Sequence, residues 1–279
     1  MKRRRPLATG VPRTVVLPAV VLLAALAAGG IATFLLPREG SSAYQTELTA
    51  RDRRVYPARP ADHGVSVAET PRRACDRPTM VGTVATPKVV ARAAPSPSAR
   101  PIAKFGRRNV VGAPQVFDIL RRVETGTSGV WFKALLPMRP NGTTGYIPAK
   151  ALRLSETTYR LTISRRLFRM TLWEGCSRLK AFPIGIGTGK TPTPVGRFYL
   201  IALVKPRNPH TIYGSYAYGL SAYSDVITDW RGGGIIGLHG TNDPSSIGRR
   251  SSHGCIRMRN RHIESLVKIL PLGVPVEIS

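Results

Sequence analysis

The residues of this chain best suited to covalent chemistry lie near its C-terminal end, in His239-Gly240-Thr241 and in Ser251-Ser252-His253-Gly254-Cys255-Ile256-Arg257-Met258. His239 precedes Cys255 by 16 positions, across a polar loop containing glycine and arginine. A cysteine attacks as its thiolate, and a nearby imidazole lowers the thiol pKa and takes its proton. The pairing points to Cys255 as nucleophile and His239 as general base. Gly254 lets backbone approach a substrate closely, and the N–H groups of Gly254 and Cys255 are candidate donors to an oxyanion. Thr241, Ser251 and Ser252 offer short hydroxyls to orient an imidazole. Arg257, two residues beyond the sulfur, suits a substrate carboxylate; a purely structural ion pair is the other reading.

Rival chemistries use the same residues. His239, His253 and Cys255 are three zinc-type ligands, but no fourth protein ligand stands at a usual spacing, so no metal or cofactor is expected. The chain has three cysteines. If it is exported, one stays free or pairs between molecules. A Cys75–Cys176 bridge leaves Cys255 free, whereas either other pairing blocks it. A lone histidine often serves only core hydrogen bonding; two histidines and a cysteine in Gly/Ser loops argue for a site.

Several elements must position these groups. The apolar run Gly234-Ile235-Ile236-Gly237-Leu238 reads as a strand delivering His239. After the cysteine, Asn260 is a good helix N-cap. Ile263, Leu266, Val267 and Leu270 follow at helical spacing, so a short amphipathic helix should pack under the Cys255 loop. Val274 to Ile278 reads as a final strand. Upstream, Phe168, Met170 and Leu172 alternate with polar residues, and Glu174-Gly175 turns into a further strand from Leu179 to Ile186. The turn Thr191-Pro192-Thr193-Pro194-Val195-Gly196 fixes backbone direction before another strand. Lys205 to Gly234 is rich in Pro, Gly, Tyr and Ser and reads as a lid, with a set of edge strands whose tyrosines cover the core as the other reading; its Tyr213 and Tyr223 are candidate substrate contacts.

The rest of the chain, 279 residues with net charge +27, divides by composition. Residues 1–13 form a basic tail holding Lys2, Arg3, Arg4, Arg5 and Arg13. Residues 14–36 are uncharged and, at about 1.5 Å per residue, reach about 35 Å, enough for a transmembrane anchor. The basic cluster before them predicts N-inside, C-outside. A cleaved signal peptide, with Ala25-Leu26-Ala27 at the cut, is the rival; both readings place the remainder outside the cytoplasm. Residues 37–82 are an Arg/Pro/Ala-rich linker. Within 83–155, short strand-like pieces such as Val110-Val111 and Val130 to Leu136 alternate with turns such as Asn141-Gly142, which suggests a small barrel. The positive charge favours polyanions, but no nucleic-acid-binding signature accompanies it, so no nucleic acid is expected as partner.

Two resemblances add to this reading. The order Trp131 … Pro140-Asn141-Gly142-Thr143-Thr144-Gly145-Tyr146-Ile147 resembles a bacterial SH3-like domain, which implies either wall-peptide binding or a spacer. His239-Gly240-Thr241 with Ser252-His253-Gly254-Cys255-Ile256-Arg257-Met258, and upstream Pro192-Thr193-Pro194-Val195-Gly196-Arg197-Phe198, resemble the L,D-transpeptidase (YkuD-type) catalytic domain over residues 159–279. That resemblance implies a mainly β domain that cross-links peptidoglycan, the cysteine attacking a tetrapeptide stem and releasing D-alanine. It implies Cys255 as nucleophile, His239 as base, the Gly240 carbonyl orienting His239, Ser252 and His253 shaping the site, and carbapenem-type β-lactams as inactivators. The expected partners are peptidoglycan stem peptides and the membrane. An L,D-carboxypeptidase, with water as acceptor, and a non-catalytic wall-binding protein are the alternatives.

Overall fold

The computed structural model describes residues 74–228 and 233–279. The expected tail, the anchor at 14–36 and all but the end of the linker lie outside these residues. Among the described residues no helix is long and apolar enough to cross a membrane.

The first half is all antiparallel. Its strands are β1 (Thr79–Val84), β2 (Lys88–Arg92), β3 (Pro101–Gly106), β4 (Val116–Thr125), β5 (Gly129–Leu135), β6 (Thr144–Pro148) and β7 (Leu152–Thr157), ordered β3-β2-β6-β5-β4-β1-β7. Phe117, Phe132 and Ile147 centre its core. The expected small barrel is thus an open seven-stranded sheet: β3 and β7 are its edges and do not pair. It begins inside the expected linker, because β1 pairs along its length with β7 and alongside β4. Val110-Val111 is a turn rather than a strand. The Asn109 side chain accepts from the N–H groups of Val111 and Ala113, and Val110 is 80% exposed. Local amide capping outcompetes β-branching there.

The second half holds β8 (Tyr159–Ser164), β9 (Arg169–Glu174), β10 (Ser177–Pro183), β11 (Ile186–Gly187), β12 (Gly196–Val204), β13 (Ala217–Tyr223), β14 (Ile235–His239), β15 (Arg250–Ser252), β16 (Ile256–Arg257), α1 (Asn260–Val267) and β17 (Pro275–Ile278). Its eight-stranded sheet runs β10-β9-β8-β17-β12-β13-β14-β16, and β11 pairs separately with β15. The last strand closes the sheet from within: β17 lies parallel to β8 and antiparallel to β12. Ile263 and Leu266 of α1 join Ile256, Met258 and Leu238 in one core, so the helix backs the strands flanking Cys255. The domain is mainly β with one helix, as its sequence pattern implied. Two readings change. Asn260 is the first residue of α1, after Arg259 at the cap position, and makes no capping bond. The expected strand from Leu179 to Ile186 is divided between β10 and β11.

The two halves share a buried seam. Val81, Val116 and Leu135 pack against Tyr199, Ile201 and Ala202. The Tyr199 hydroxyl donates to the Leu135 carbonyl (3.1 Å), and Asn109 Nδ2 donates to the Ile201 carbonyl (2.8 Å). Asp118, fully buried, accepts from Arg197 Nε at 2.8 Å. A Cβ at Gly273 would lie 2.4 Å from Val81 Cγ1, so close approach demands glycine there. A disulfide joins Cys75, ahead of β1, to Cys176 in the β9–β10 turn, and Cys255 stays a free thiol.

Thiol titration of the oxidised, denatured chain is expected to yield one equivalent, mapping to Cys255. Replacing Cys75 and Cys176 by alanine should lower unfolding free energy by up to about 4–5 kcal/mol, the chain-entropy value for a loop of about 100 residues. A denaturant titration of both forms checks it.

Candidate active site

A parallel pairing brings the cysteine and histidine together. Leu238 of β14 sits opposite Ile256 of β16, and His239 opposite Arg257. Leu238 and Ile256 are both fully buried in the core. Side chains alternate along strands, so the positions on either side, Gly237 and His239 on one strand and Cys255 and Arg257 on the other, face away from that core together. Gly237 is the floor of the site. Its N–H donates to Cys255 Sγ at 3.3 Å. A Cβ added there would lie 3.3 Å from His239 Cδ2 and 3.6 Å from Cys255 Sγ. The missing side chain leaves room for the sulfur and the imidazole to share one backbone position.

His239 is 2% exposed, with Nδ1 2.6 Å from the Gly240 carbonyl. A carbonyl only accepts, so Nδ1 carries the proton in the neutral ring and the lone pair is on Nε2. Burial lowers the His239 pKa to about 4, helped by the Arg257 charge and opposed by the carbonyls of Gly240 and Ile212. The Tyr213 ring meets the imidazole edge-on, with centroids 5.1 Å apart. Burial raises the Tyr213 hydroxyl pKa, as does proximity to Cys255. Burial also raises the Cys255 pKa, against the Gly237 N–H and Arg257, which lower it. The expectation that the imidazole lowers the thiol pKa is therefore not met in the resting site. Desolvation opposes both charged forms, and a neutral thiol faces a neutral imidazole.

The loop carrying Cys255 is tied at both ends. Ser252 Oγ donates to the Cys255 carbonyl (2.5 Å) and accepts the Gly254 N–H (3.2 Å). Thr193 Oγ1 donates to the Gly254 carbonyl (2.7 Å) and accepts the Gly187 N–H (2.9 Å). Gly254 holds φ 116°, which a side chain rarely adopts. Its N–H, expected to serve an oxyanion, is thus committed to Ser252. Among the described residues no acceptor meets the Cys255 N–H, which remains the donor beside the sulfur. His253 is exposed. Arg257 Nε is buried without a hydrogen-bond partner, and among the described residues its guanidinium makes no ion pair. That disfavours the purely structural reading of this charge.

Other expected contacts move. The expected lid is interrupted by β13, a strand inside the sheet, whose Tyr218 is buried with its hydroxyl on the Leu270 carbonyl (2.9 Å). Tyr223 ends that strand at the seam between the halves. Its hydroxyl donates to the Pro137 carbonyl (3.1 Å), and Arg139 stacks 4.7 Å over its ring. These bonds take Tyr223 out of the substrate contacts, while Tyr213 stays at the site.

Asn260 is the residue that the sequence reading misplaced. Its Oδ1 accepts from the N–H groups of Thr241 (2.9 Å) and Ser215 (3.4 Å). It also crowds Gly240: a Cβ there would lie 2.1 Å from Asn260 Oδ1. Gly240 is absent from the positive-φ residues, so sterics rather than backbone conformation require glycine. The amide of α1 thereby holds the turn whose carbonyl orients His239. The helical period after Asn260 suggested a cap; nothing local signals a tertiary latch.

Residues 158–278 match the family model of YkuD, the L,D-transpeptidase catalytic domain. This part of the chain is therefore similar in sequence to the catalytic domains of that family. YkuD of Bacillus subtilis, provisionally named an L,D-transpeptidase, is 36% identical over 121 residues, which span 43% of this chain and 66% of the relative. YbiS of Escherichia coli, named with the same reserve, is 28% identical over 130 residues, or 37% and 39% of the two chains. A solved L,D-transpeptidase from Mycobacterium smegmatis overlaps 60% of this chain and 91% of its own at 17% identity, with a TM-score of 0.36. The chain thus spans just under two thirds of YkuD and less of YbiS.

The rate of Cys255 acylation by a carbapenem should fall at acid pH with a midpoint near 4, where His239 takes up a proton, rather than near the ordinary 6.5. Arg257→Gln removes a lowering charge and should move that midpoint upward; stopped-flow acylation across pH measures both. Gly240→Ser should slow acylation by roughly 10-fold or more, since a displaced base costs at least about 1.4 kcal/mol. Adding Asn260→Ala should restore part of that rate.

Proposed function

We propose that the chain is a peptidoglycan L,D-transpeptidase acting through a cysteine acyl-enzyme. The observation that carries this reading is the shared floor at Gly237, which holds the Cys255 sulfur and the His239 imidazole side by side. With both groups neutral, the thiol proton passes to His239 Nε2 as the sulfur attacks the peptide carbonyl after the third residue of a tetrapeptide stem. The oxyanion forms beside the Cys255 N–H. The C–N bond then breaks, and His239 returns the proton to the departing D-alanine amine. The thioester is opened by the side-chain amine of a second stem. His239 takes that amine's proton and restores the thiol. Gly240 holds the ring through its carbonyl, and Arg257 meets a carboxylate of the stem. Ser252 and His253 bound the site, with Tyr213 against the imidazole.

The proposed location is the outer face of the cell membrane, on a single-pass anchor at 14–36 with the catalytic domain on the wall side. The Cys75–Cys176 disulfide supports it, since such bridges persist in oxidising compartments. The antiparallel module is proposed as a buttress of the catalytic domain, supported by the buried seam between them.

Incubating the purified chain with stem tetrapeptide and reading products by mass spectrometry tests the assignment. Cross-linked dimer with released D-alanine is expected, along with a covalent adduct on Cys255. Tripeptide without dimer would replace transpeptidation by carboxypeptidase action. Cys255→Ala should abolish turnover and carbapenem labelling; unchanged activity or an adduct elsewhere would remove the cysteine mechanism altogether.

A further inference from the structure

At the β10 edge of the sheet, a groove of about 620 Å³ opens between the β8–β9 turn and β10. Leu167, Phe168, Arg169, Arg178, Leu179 and Lys180 form much of its wall. Leu167 and Leu179 are about half exposed. Arg250 lies over the Phe168 ring at 5.9 Å, and Lys180 Nζ over Phe182 at 5.5 Å. Phe168 holds φ 48°, a left-handed conformation that a bulky residue rarely adopts. Next to Phe182 stands His262, with ring centroids 5.2 Å apart. The His262 pKa is lowered by partial burial and then by Arg261, Lys180 and Arg259, so like charges crowd this end of α1. Among the described residues none of Arg169, Arg178, Lys180, Arg250, Arg259 and Arg261 has a carboxylate partner. The first turn of α1 also lacks an acidic residue, so its positive helix end adds to the field rather than offsetting it.

We propose that this groove binds a linear polyanion carrying a phosphate in each repeat unit. The cations form a track, along β10 and on to the start of α1, rather than a single point. A chain with regularly spaced charges fits a track, and its uncharged connecting groups fit the leucine and phenylalanine wall. A peptide strand is the poorer occupant. The register of β10 shifts between Arg178 and Lys180, and Pro183 ends the strand, both of which blunt edge pairing. The cations and apolar wall that carry this reading are not the residues assigned to the Cys255 chemistry, so the two readings stand or fall separately.

End-labelled linear polyphosphate, titrated into the full-length chain in detergent and followed by anisotropy, tests the proposal. Arg178→Gln with Lys180→Gln should weaken binding about 10-fold and reduce the salt slope by about 1.5, as expected for two lost phosphate contacts. Lys104→Gln with Arg107→Gln removes the same charge from exposed positions on the antiparallel module and should change binding less than about 2-fold. Equal weakening by both pairs would mean attraction by net charge alone and would overturn the site. Unchanged binding in the groove variant, or equally tight binding of polyglutamate, would overturn it too. Carbapenem acylation of the groove variant at the parent rate confirms that the fold is intact.

Discussion

The site depends on one short parallel pairing, Leu238 of β14 against Ile256 of β16. That register buries two core residues and turns their neighbours outward together, so a histidine and a cysteine 16 positions apart become neighbours. A one-residue slip of β16 would turn Cys255 and Arg257 toward the core and away from His239. The surroundings resist such a slip. The Met258 N–H donates to the His239 carbonyl (2.9 Å), and Gly185 exchanges backbone bonds with Arg257. Ile263 and Leu266 of α1 pack against the same pair.

Burial then sets the chemistry. A net charge of +27 favours a thiolate by charge alone. Arg257 does act that way, but desolvation of the sulfur outweighs it. The same desolvation, reinforced by Arg257, keeps His239 unprotonated through neutral pH. In the proposed mechanism His239 is then a base with its lone pair directed by Gly240, and charge separation is deferred to the moment of attack. As a neutral thiol, Cys255 is less open to oxidation or alkylation than a thiolate would be.

Much of this was legible because the motif is local in sequence. His239-Gly240-Thr241 and Ser252 to Met258 carry their chemistry in residue type and spacing, and the strand leading to His239 shows as an apolar run. What was not legible is what depends on partners distant in the chain. Asn260 looked like a helix cap, and its latch on Thr241 and Gly240 follows from where the chain returns, not from its neighbours. Tyr223 looked like a lid tyrosine until Pro137 and Arg139 of the other half claimed it. Tyr218 looked the same, though it is core. The start of the antiparallel module at Thr79 was hidden because β1 is short and its meaning lies in pairing with β4 and β7.

The module's place in the molecule follows from a single segment. Thr193 grips the Gly254 carbonyl beside the nucleophile. Four residues on, Arg197 grips the buried Asp118 of the module. The two ends of that ion pair are affected differently. The Asp118 pKa is raised because burial outweighs its partner, while the Arg197 pKa is raised because the bond to Asp118 outweighs its own desolvation. The half-exposed arginine gains and the enclosed carboxylate loses, so the net contribution to stability is small, as is common for buried pairs. What the pair does supply is position. It anchors the turn that carries Thr193 to a second folded body, while Asn141 of that body exchanges hydrogen bonds with the Tyr223 backbone (2.8 and 2.9 Å) and Arg139 holds the carbonyls of Ser224, Ile227 and Gly233 ahead of β14. Both chain segments that lead into the Cys255–His239 pair are therefore braced from the module. Loosening that seam would disturb the catalytic geometry through two separate routes without touching a catalytic residue.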